Sequence, residues 1–227
     1  EINNDCTLLN KRVEEATDIL LNDNKIVGLI GGDHSSPFGY FKSLAKKYKE
    51  FGVLYIDAHA DLRCAYEGFN YSHASIFHNV LSIPNISKLV QVGVRDISEE
   101  EINIVKEQKG RIALFSDYEI KKDLFNGKSW SKKCDEIIKN LPKDVYISFD
   151  IDGLAPYYCP STGTPVPGGL GINELVFLFE KIIESKRKII GFDLCEVVPS
   201  KDGGEWDGNV GARVLYKLCL LALKSKK

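Results

Sequence analysis

Gly52-Val53-Leu54-Tyr55-Ile56-Asp57-Ala58-His59-Ala60-Asp61 begins as an unbroken apolar run and ends in three side chains that bind metals well. An apolar run with no polar alternation reads as a strand buried on both faces, as in parallel sheets covered by helices. Val145-Tyr146-Ile147-Ser148-Phe149-Asp150 repeats the pattern and leads into Ile151-Asp152. Outward from these, the predicted strands are Ile26–Ile30, Gly52–Asp57, Leu89–Val94, Ile112–Phe115, Val145–Asp150 and Ile189–Asp193. Amphipathic patterns alternate with them: Thr7–Leu21, Phe38–Lys49, His73–Leu81, Glu99–Gln108, Ser131–Lys139, Asn173–Glu184 and Gly211–Lys224. The alternation predicts an α/β fold with a parallel sheet covered on both faces. Two long loops, from Asp57 to about Tyr71 and from Ala155 to Gly171, are the kind that carry function.

Bulk properties narrow the function classes. The chain has 227 residues, 44% hydrophobic and 27% charged, with a net charge of −2. That composition is ordinary for a folded domain, and the charge gives no reason to expect nucleic acid or an anionic membrane as partner. No apolar run approaches the roughly 18 to 20 residues of a membrane span. The opening Glu1-Ile2-Asn3-Asn4-Asp5 does not read as a signal peptide. Cys6, Cys64, Cys134, Cys159, Cys195 and Cys219 form no Cys-x-x-Cys pair and read as thiols in a reducing compartment, so a cytoplasmic location is expected. Methionine is absent even at position 1, so the chain need not be a whole translated protein.

Ligands of open α/β sheets sit beyond the carboxyl ends of the strands. At those ends lie Gly31-Gly32-Asp33-His34-Ser35, Asp57-Ala58-His59-Ala60-Asp61, Asp150-Ile151-Asp152 and Asp193-Leu194-Cys195-Glu196. If the backbone stays extended, Asp57, His59 and Asp61 project to one side. Asp150 and Asp152 do the same on another strand, and His34 adds a second imidazole. Four carboxylates in one cleft need positive charge, and two divalent cations would balance them. Oxygen-rich donors with some imidazole suit Mn²⁺; Mg²⁺ suits the histidines less, and Zn²⁺ stays compatible. Glu196 is either a partner for a planar guanidinium or a salt bridge to a local cation. His73 is either a free imidazole that moves protons or a helix N-terminal residue after Ser72. His78 reads as an ordinary helix residue.

Four blocks carry a resemblance: Gly31-Gly32-Asp33-His34-Ser35, Asp57-Ala58-His59-Ala60-Asp61, Ser148-Phe149-Asp150-Ile151-Asp152-Gly153-Leu154 and Thr162-Gly163-Thr164-Pro165-Val166-Pro167-Gly168-Gly169. In this order the chain resembles the arginase/agmatinase ureohydrolases from about Ile26 to its C-terminus. The resemblance implies a three-layer α/β/α sandwich with a mostly parallel central sheet, assembled as homotrimers or hexamers. It implies two Mn²⁺ ions, one held by His34, Asp57, Asp61 and Asp150, the other by Asp57, His59, Asp150 and Asp152. Water activated between them would attack the carbon of a small guanidino substrate. Glu196 would bind the guanidinium, and His73 would help protonate the leaving amine.

The loop between Asp61 and His73 is similar to the Tyr-Glu-Gly…Ser-His form of agmatinases. The expected substrate is therefore agmatine, giving putrescine and urea; arginine, guanidinobutyrate and a catalytically silent, metal-binding relative are the alternatives. Arg63 and Glu67 read as loop salt-bridge partners. Two departures stand out. Ala155 replaces the family's usual Asp before Pro156, which should alter loop packing but not the ligands. Only about thirty residues precede His34, fewer than the family has. Residues 1–227 are thus expected to form one domain whose N-terminal strands are either absent or lie outside this sequence.

Overall fold

The computed structural model describes residues 2–226. Its strands are β1 (Val27–Ile30), β2 (Phe51–Ile56), β3 (Ile86–Val92), β4 (Ile112–Phe115), β5 (Asp144–Asp150) and β6 (Lys188–Cys195). All pair in parallel in one sheet of order β1-β6-β5-β2-β3-β4. Every residue of β2 is buried, in keeping with a run that alternates nowhere. Its side chains divide between two cores. Leu54 and Ile56, with Val145, Ile147 and Phe149 of β5, pack beneath α5 (Asp117–Phe125), α6 (Trp130–Lys139), α7 (Ile172–Glu184) and α8 (Trp206–Lys224). Val53 and Tyr55, with Tyr146, pack against α1 (Ile2–Asn22), α2 (Phe38–Lys47) and α3 (Ile76–Val80), while Ile104 and Val105 of α4 (Glu99–Glu107) border that core. The result is the three-layer α/β/α arrangement.

Several element bounds differ from expectation, for physical reasons. The helix at Asp117–Phe125 is absent from the sequence reading because its apolar side is thin, with Tyr118 70% and Phe125 86% exposed. Its readable signal is Ser116-x-x-Glu119: the Ser116 hydroxyl accepts from the Glu119 N–H at 3.2 Å. The last helix starts at Trp206, not Gly211, because Gly208 and Gly211 obscure its first turns. The expected His73–Leu81 helix divides into a 3₁₀ turn, His73–Ser75, and α3.

The contact of α1 with α2 sets a strict size limit. A Cβ on Gly39 would lie 2.0 Å from the Asn10 carbonyl oxygen and 2.8 Å from the Glu14 nitrogen, both backbone atoms of α1. Helix propensity alone favours alanine over glycine by about 1 kcal/mol, but overpacking against rigid backbone costs ~1–3 kcal/mol. Gly39→Ala should therefore lower the urea midpoint of unfolding; an unchanged or raised midpoint would mean that the two helices can separate freely.

Candidate metal centre and substrate pocket

The sheet order explains why four distant motifs meet. β1, β6, β5 and β2 are adjacent, and being parallel they deliver His34, Glu196, Asp150 and Asp57 to the same edge. His34 is fully buried. Its Nδ1 lies 3.3 Å from Asp57 Oδ2 and 3.0 Å from Asp150 Oδ2. His59 Nδ1 lies 3.3 Å from Asp57 Oδ1 and 3.2 Å from Asp152 Oδ2. Asp57 thus turns one oxygen to each imidazole. Two sets of donor atoms share Asp57, His34–Asp57–Asp150 and Asp57–His59–Asp152, each with its atoms within 4.8 Å of one another; a third by the same measure, His34–Asp193–Cys195, lies behind His34.

Asp61 joins this cluster by another route than extended backbone. β2 ends at Ile56, and the segment after it is irregular loop, so no strand pleat aligns Asp57, His59 and Asp61. Asp61 instead adopts a left-handed backbone, φ 53°. Its carboxylate falls outside both donor sets and meets Tyr55, whose hydroxyl lies 2.6 Å from Asp61 Oδ2 and also contacts Asp57 Oδ2. One hydroxyl proton serves only one of them at a time.

Backbone clamps fix the loop. The Ala58 N–H donates to Asp152 Oδ1 (3.1 Å), the Ala58 carbonyl accepts from the Arg95 and Asp96 N–H groups, and the Ala60 carbonyl accepts from Gln91 Nε2 (2.7 Å). Arg95 ties in the second long loop by donating to the carbonyls of Asp152, Leu154 and Val166. Ala155 is buried there and its N–H donates to the Leu170 carbonyl at 3.0 Å. Behind His34, Nε2 lies 2.8 Å from Ser148 Oγ and 3.3 Å from Asp193 Oδ1. Such a carboxylate partner orients an imidazole so that its other nitrogen, here Nδ1, presents a lone pair.

The charges in the cluster are frustrated. Burial, and next the charge of Asp57, push Asp61, Asp150 and Asp152 above the usual carboxylate range. Asp57 alone among them is held low: burial opposes its charge, but His34 and His59 outweigh it. Burial likewise opposes charge on His59, yet Asp152 and Asp57 raise it to about 11. Like-charged carboxylates with imidazoles between them are the arrangement a divalent cation relieves. The donor chemistry, oxygen-rich with two imidazoles, fits Mn²⁺.

A two-lobed pocket opens beside the cluster. His59, Asp61, His73 and Thr164 line both lobes; Arg63, Tyr66 and Asp96 border one, Asp33 and Glu196 the other. Glu196 is locked into a left-handed backbone, φ 64°. Its N–H donates to the Gly32 carbonyl (2.8 Å), its carbonyl accepts from Thr162 Oγ1 (2.9 Å), and its Oε1 accepts from the His34 N–H (2.8 Å). Burial raises its pKa. His73 Nδ1 lies 3.3 Å from Asp33 Oδ2 and is raised chiefly by that hydrogen bond. Asp33 is lowered to about 2, because His73 and Ser35 outweigh its burial. His78 sits exposed on α3. Sequence reasoning does not single out Tyr55, Asp33, Arg95, Asp193 or Thr164. Asp33, Thr164 and Asp193 lie inside quoted motifs, which is the signal that could flag them, and Tyr55 lies inside the quoted strand, where it reads as apolar.

The profile of the arginase family matches residues 2–221. The chain is 37% identical to N(1)-aminopropylagmatine ureohydrolase of Thermus thermophilus over 180 residues, 79% of this chain and 57% of the relative. It is 29% identical to agmatinase of Bacillus subtilis over 208 residues, 92% of this chain and 68% of the relative. Agmatine ureohydrolase of Thermoplasma volcanium superposes with a TM-score of 0.79 at 26% identity, covering 96% of this chain and 70% of that one. The chain belongs to the arginase family, and it spans little more than half the length of the Thermus relative. Among the described residues no helix is long and apolar enough to cross a membrane.

Proposed function

We propose that residues 1–227 act as one ureohydrolase domain that binds two Mn²⁺ ions and cleaves agmatine to urea and putrescine. The observation that carries this reading is the pair of donor sets sharing Asp57, with the Glu196 carboxylate on the wall of the adjoining pocket. His34, Asp57, Asp61 and Asp150 would hold one ion, and Asp57, His59, Asp150 and Asp152 the other. When bound, the ions supply Lewis acidity and make water nucleophilic at neutral pH. The chain's residues do the rest. Glu196 presents a carboxylate to a planar guanidinium, which a fork of two N–H donors can match. A phosphoester or carboxylate substrate would meet repulsion there instead.

His73 holds the proton the leaving amine needs. Asp33 keeps its imidazole protonated to higher pH and fixes its ring at the pocket wall. His73→Ala should leave Mn²⁺ binding intact and slow turnover by about 10²–10⁴; an unaltered kcat would count against proton transfer.

Agmatine is favoured over arginine by the Tyr66-Glu67-Gly68-Phe69 turn. Glu67 (φ 50°) and Gly68 (φ 83°) both take left-handed backbone, and Tyr66 and Phe69 exchange backbone hydrogen bonds of 3.1 and 2.8 Å. This is a type I′ hairpin turn. It presents Tyr66 and, stacked on it, Arg63 to the pocket, not the Asn and Ser/Thr side chains with which arginases grip the ends of an amino acid. We propose cytoplasmic, homo-oligomeric occurrence with no nucleic-acid partner. The test is urea release with Mn²⁺ supplied, across agmatine, arginine, guanidinobutyrate and formiminoglutamate. Agmatine should give the highest kcat/KM; metal binding without urea from any of them would identify a silent relative.

A further inference from the structure

We propose that Glu101 is a positioning residue for the metal centre, holding the backbone that aims Asp61. This rests on the assignment of Asp61 as a ligand. Glu101 stands in the first turn of α4, far in sequence from any of the four motifs, and its side chain is almost fully buried. One oxygen, Oε1, accepts from the N–H of Leu62 at 3.0 Å. The other, Oε2, accepts from the Ser98 N–H (2.9 Å) and hydroxyl (2.7 Å), closing a capping box on α4, and faces Arg63 Nε at 3.8 Å.

The Leu62 N–H is the point where the Asp61 conformation is decided. Asp61 lies in the left-handed region, which an aspartate tolerates but does not favour. Its carbonyl is gripped from one side by the Phe77 and His78 N–H groups at 3.0 and 3.3 Å. The other side of that same peptide, the Leu62 N–H, is gripped among the described residues by Glu101 alone, and Leu62 is fully buried. Without it the buried N–H is left unpaired, and the peptide gains a reason to rotate, carrying the Asp61 side chain with it. A carboxylate that served only to cap a helix would need the Ser98 contacts alone. The Leu62 contact ties the cap to the metal loop.

Mn²⁺ titration of chelator-treated protein, read by calorimetry, separates these roles. Glu101→Gln keeps the chain length and one acceptor oxygen: with that oxygen on the Leu62 N–H, its amide N–H₂ faces Ser98, so the cap is weakened and the melting temperature should fall, while Mn²⁺ should bind within about threefold of the parent. Glu101→Asp keeps the charge and a good helix N-terminal residue but is too short to span Leu62 and Ser98; it should weaken one of two Mn²⁺ sites by roughly 10–100-fold, the range seen when residues supporting metal ligands are lost. Ser98→Ala breaks the cap alone and should lower the melting temperature without moving Mn²⁺ affinity. The inference is overturned if Glu101→Asp binds like the parent. It is also overturned if Glu101→Gln is the weaker of the two, which would make the role one of charge, or if Ser98→Ala weakens Mn²⁺ equally. A parent chain that binds no Mn²⁺ at all would sink the ligand assignment itself, whatever Glu101 does.

Discussion

Asp150→Asn should weaken Mn²⁺ binding beyond about 100-fold and at the same time make the chelator-treated chain more stable than its parent. The first effect follows from the proposed role: Asp150 would contact both ions, so its loss exceeds the 10–100-fold typical of residues one step removed. The second follows from the electrostatics. Burial, then Asp57 and Asp152, raise the Asp150 carboxyl well above its ordinary value. A carboxyl raised on folding binds more protons in the folded state. Its penalty is therefore absent at pH 3, below the unfolded value, and grows as the pH rises through about 4. Asparagine preserves the acceptor for the Asp152 N–H, 2.8 Å away in the parent. The expected gain in chelated protein is on the order of 1 kcal/mol at neutral pH, the usual size for relieving strain at a functional site, and none at pH 3. Urea unfolding at both pH values tests it. Equal stability of mutant and parent at neutral pH would mean that the carboxylates do not repel in the folded chain, and the case for a cation between them would lose its physical basis.

The strands and the site are legible in sequence for one reason. The strands are apolar throughout, so a charged residue at a carboxyl end is conspicuous, and Asp57, Asp150 and Asp193 each close such a run. Which ends are neighbours is not legible. Nothing in the alternation of elements says that β5 and β6 insert between β1 and β2, yet that order alone puts His34 beside Asp57. An extended backbone would bring Asp61 to the cluster, whereas its left-handed φ and the Tyr55 hydroxyl set its position. Tyr55 looks like one more apolar residue of β2, and its polar tip shows only once the strand is placed. Glu101 reads as a routine helix-start glutamate, because the second bond of its carboxylate, to Leu62, crosses between elements that sequence cannot align. Helix α5 escapes for the complementary reason: its cap is visible, but its exposed aromatic residues give no apolar stripe to confirm it.

Glu196→Gln should abolish measurable cleavage of agmatine, a fall of at least about 10³ in kcat/KM, with both Mn²⁺ sites retained. Gln is the informative substitution because Glu196 does two jobs. Its Oε1 accepts from the His34 N–H at 2.8 Å and so steadies the loop that carries a proposed ligand; Gln can keep that bond, where Ala would not. Its charge is what the proposed substrate needs. A guanidinium entering a partly buried pocket gives up water, and an ionised carboxylate repays that loss with two parallel charge-assisted hydrogen bonds. An amide offers one acceptor and turns an N–H₂ group towards donors, leaving buried polar groups unpaired; sites of that kind reject a mismatched partner by roughly 10⁴–10⁵. Burial raises the Glu196 carboxyl in the unliganded chain, so a cationic substrate should also pull its pKa down on binding, and the acid limb of kcat should lie at lower pH than that of kcat/KM. Parent-like agmatine kinetics in Glu196→Gln would remove the guanidinium from this wall of the pocket. Lost metal in the same variant would make Glu196 a support for His34 and leave the substrate site to be sought in the other lobe, around Arg63 and Tyr66.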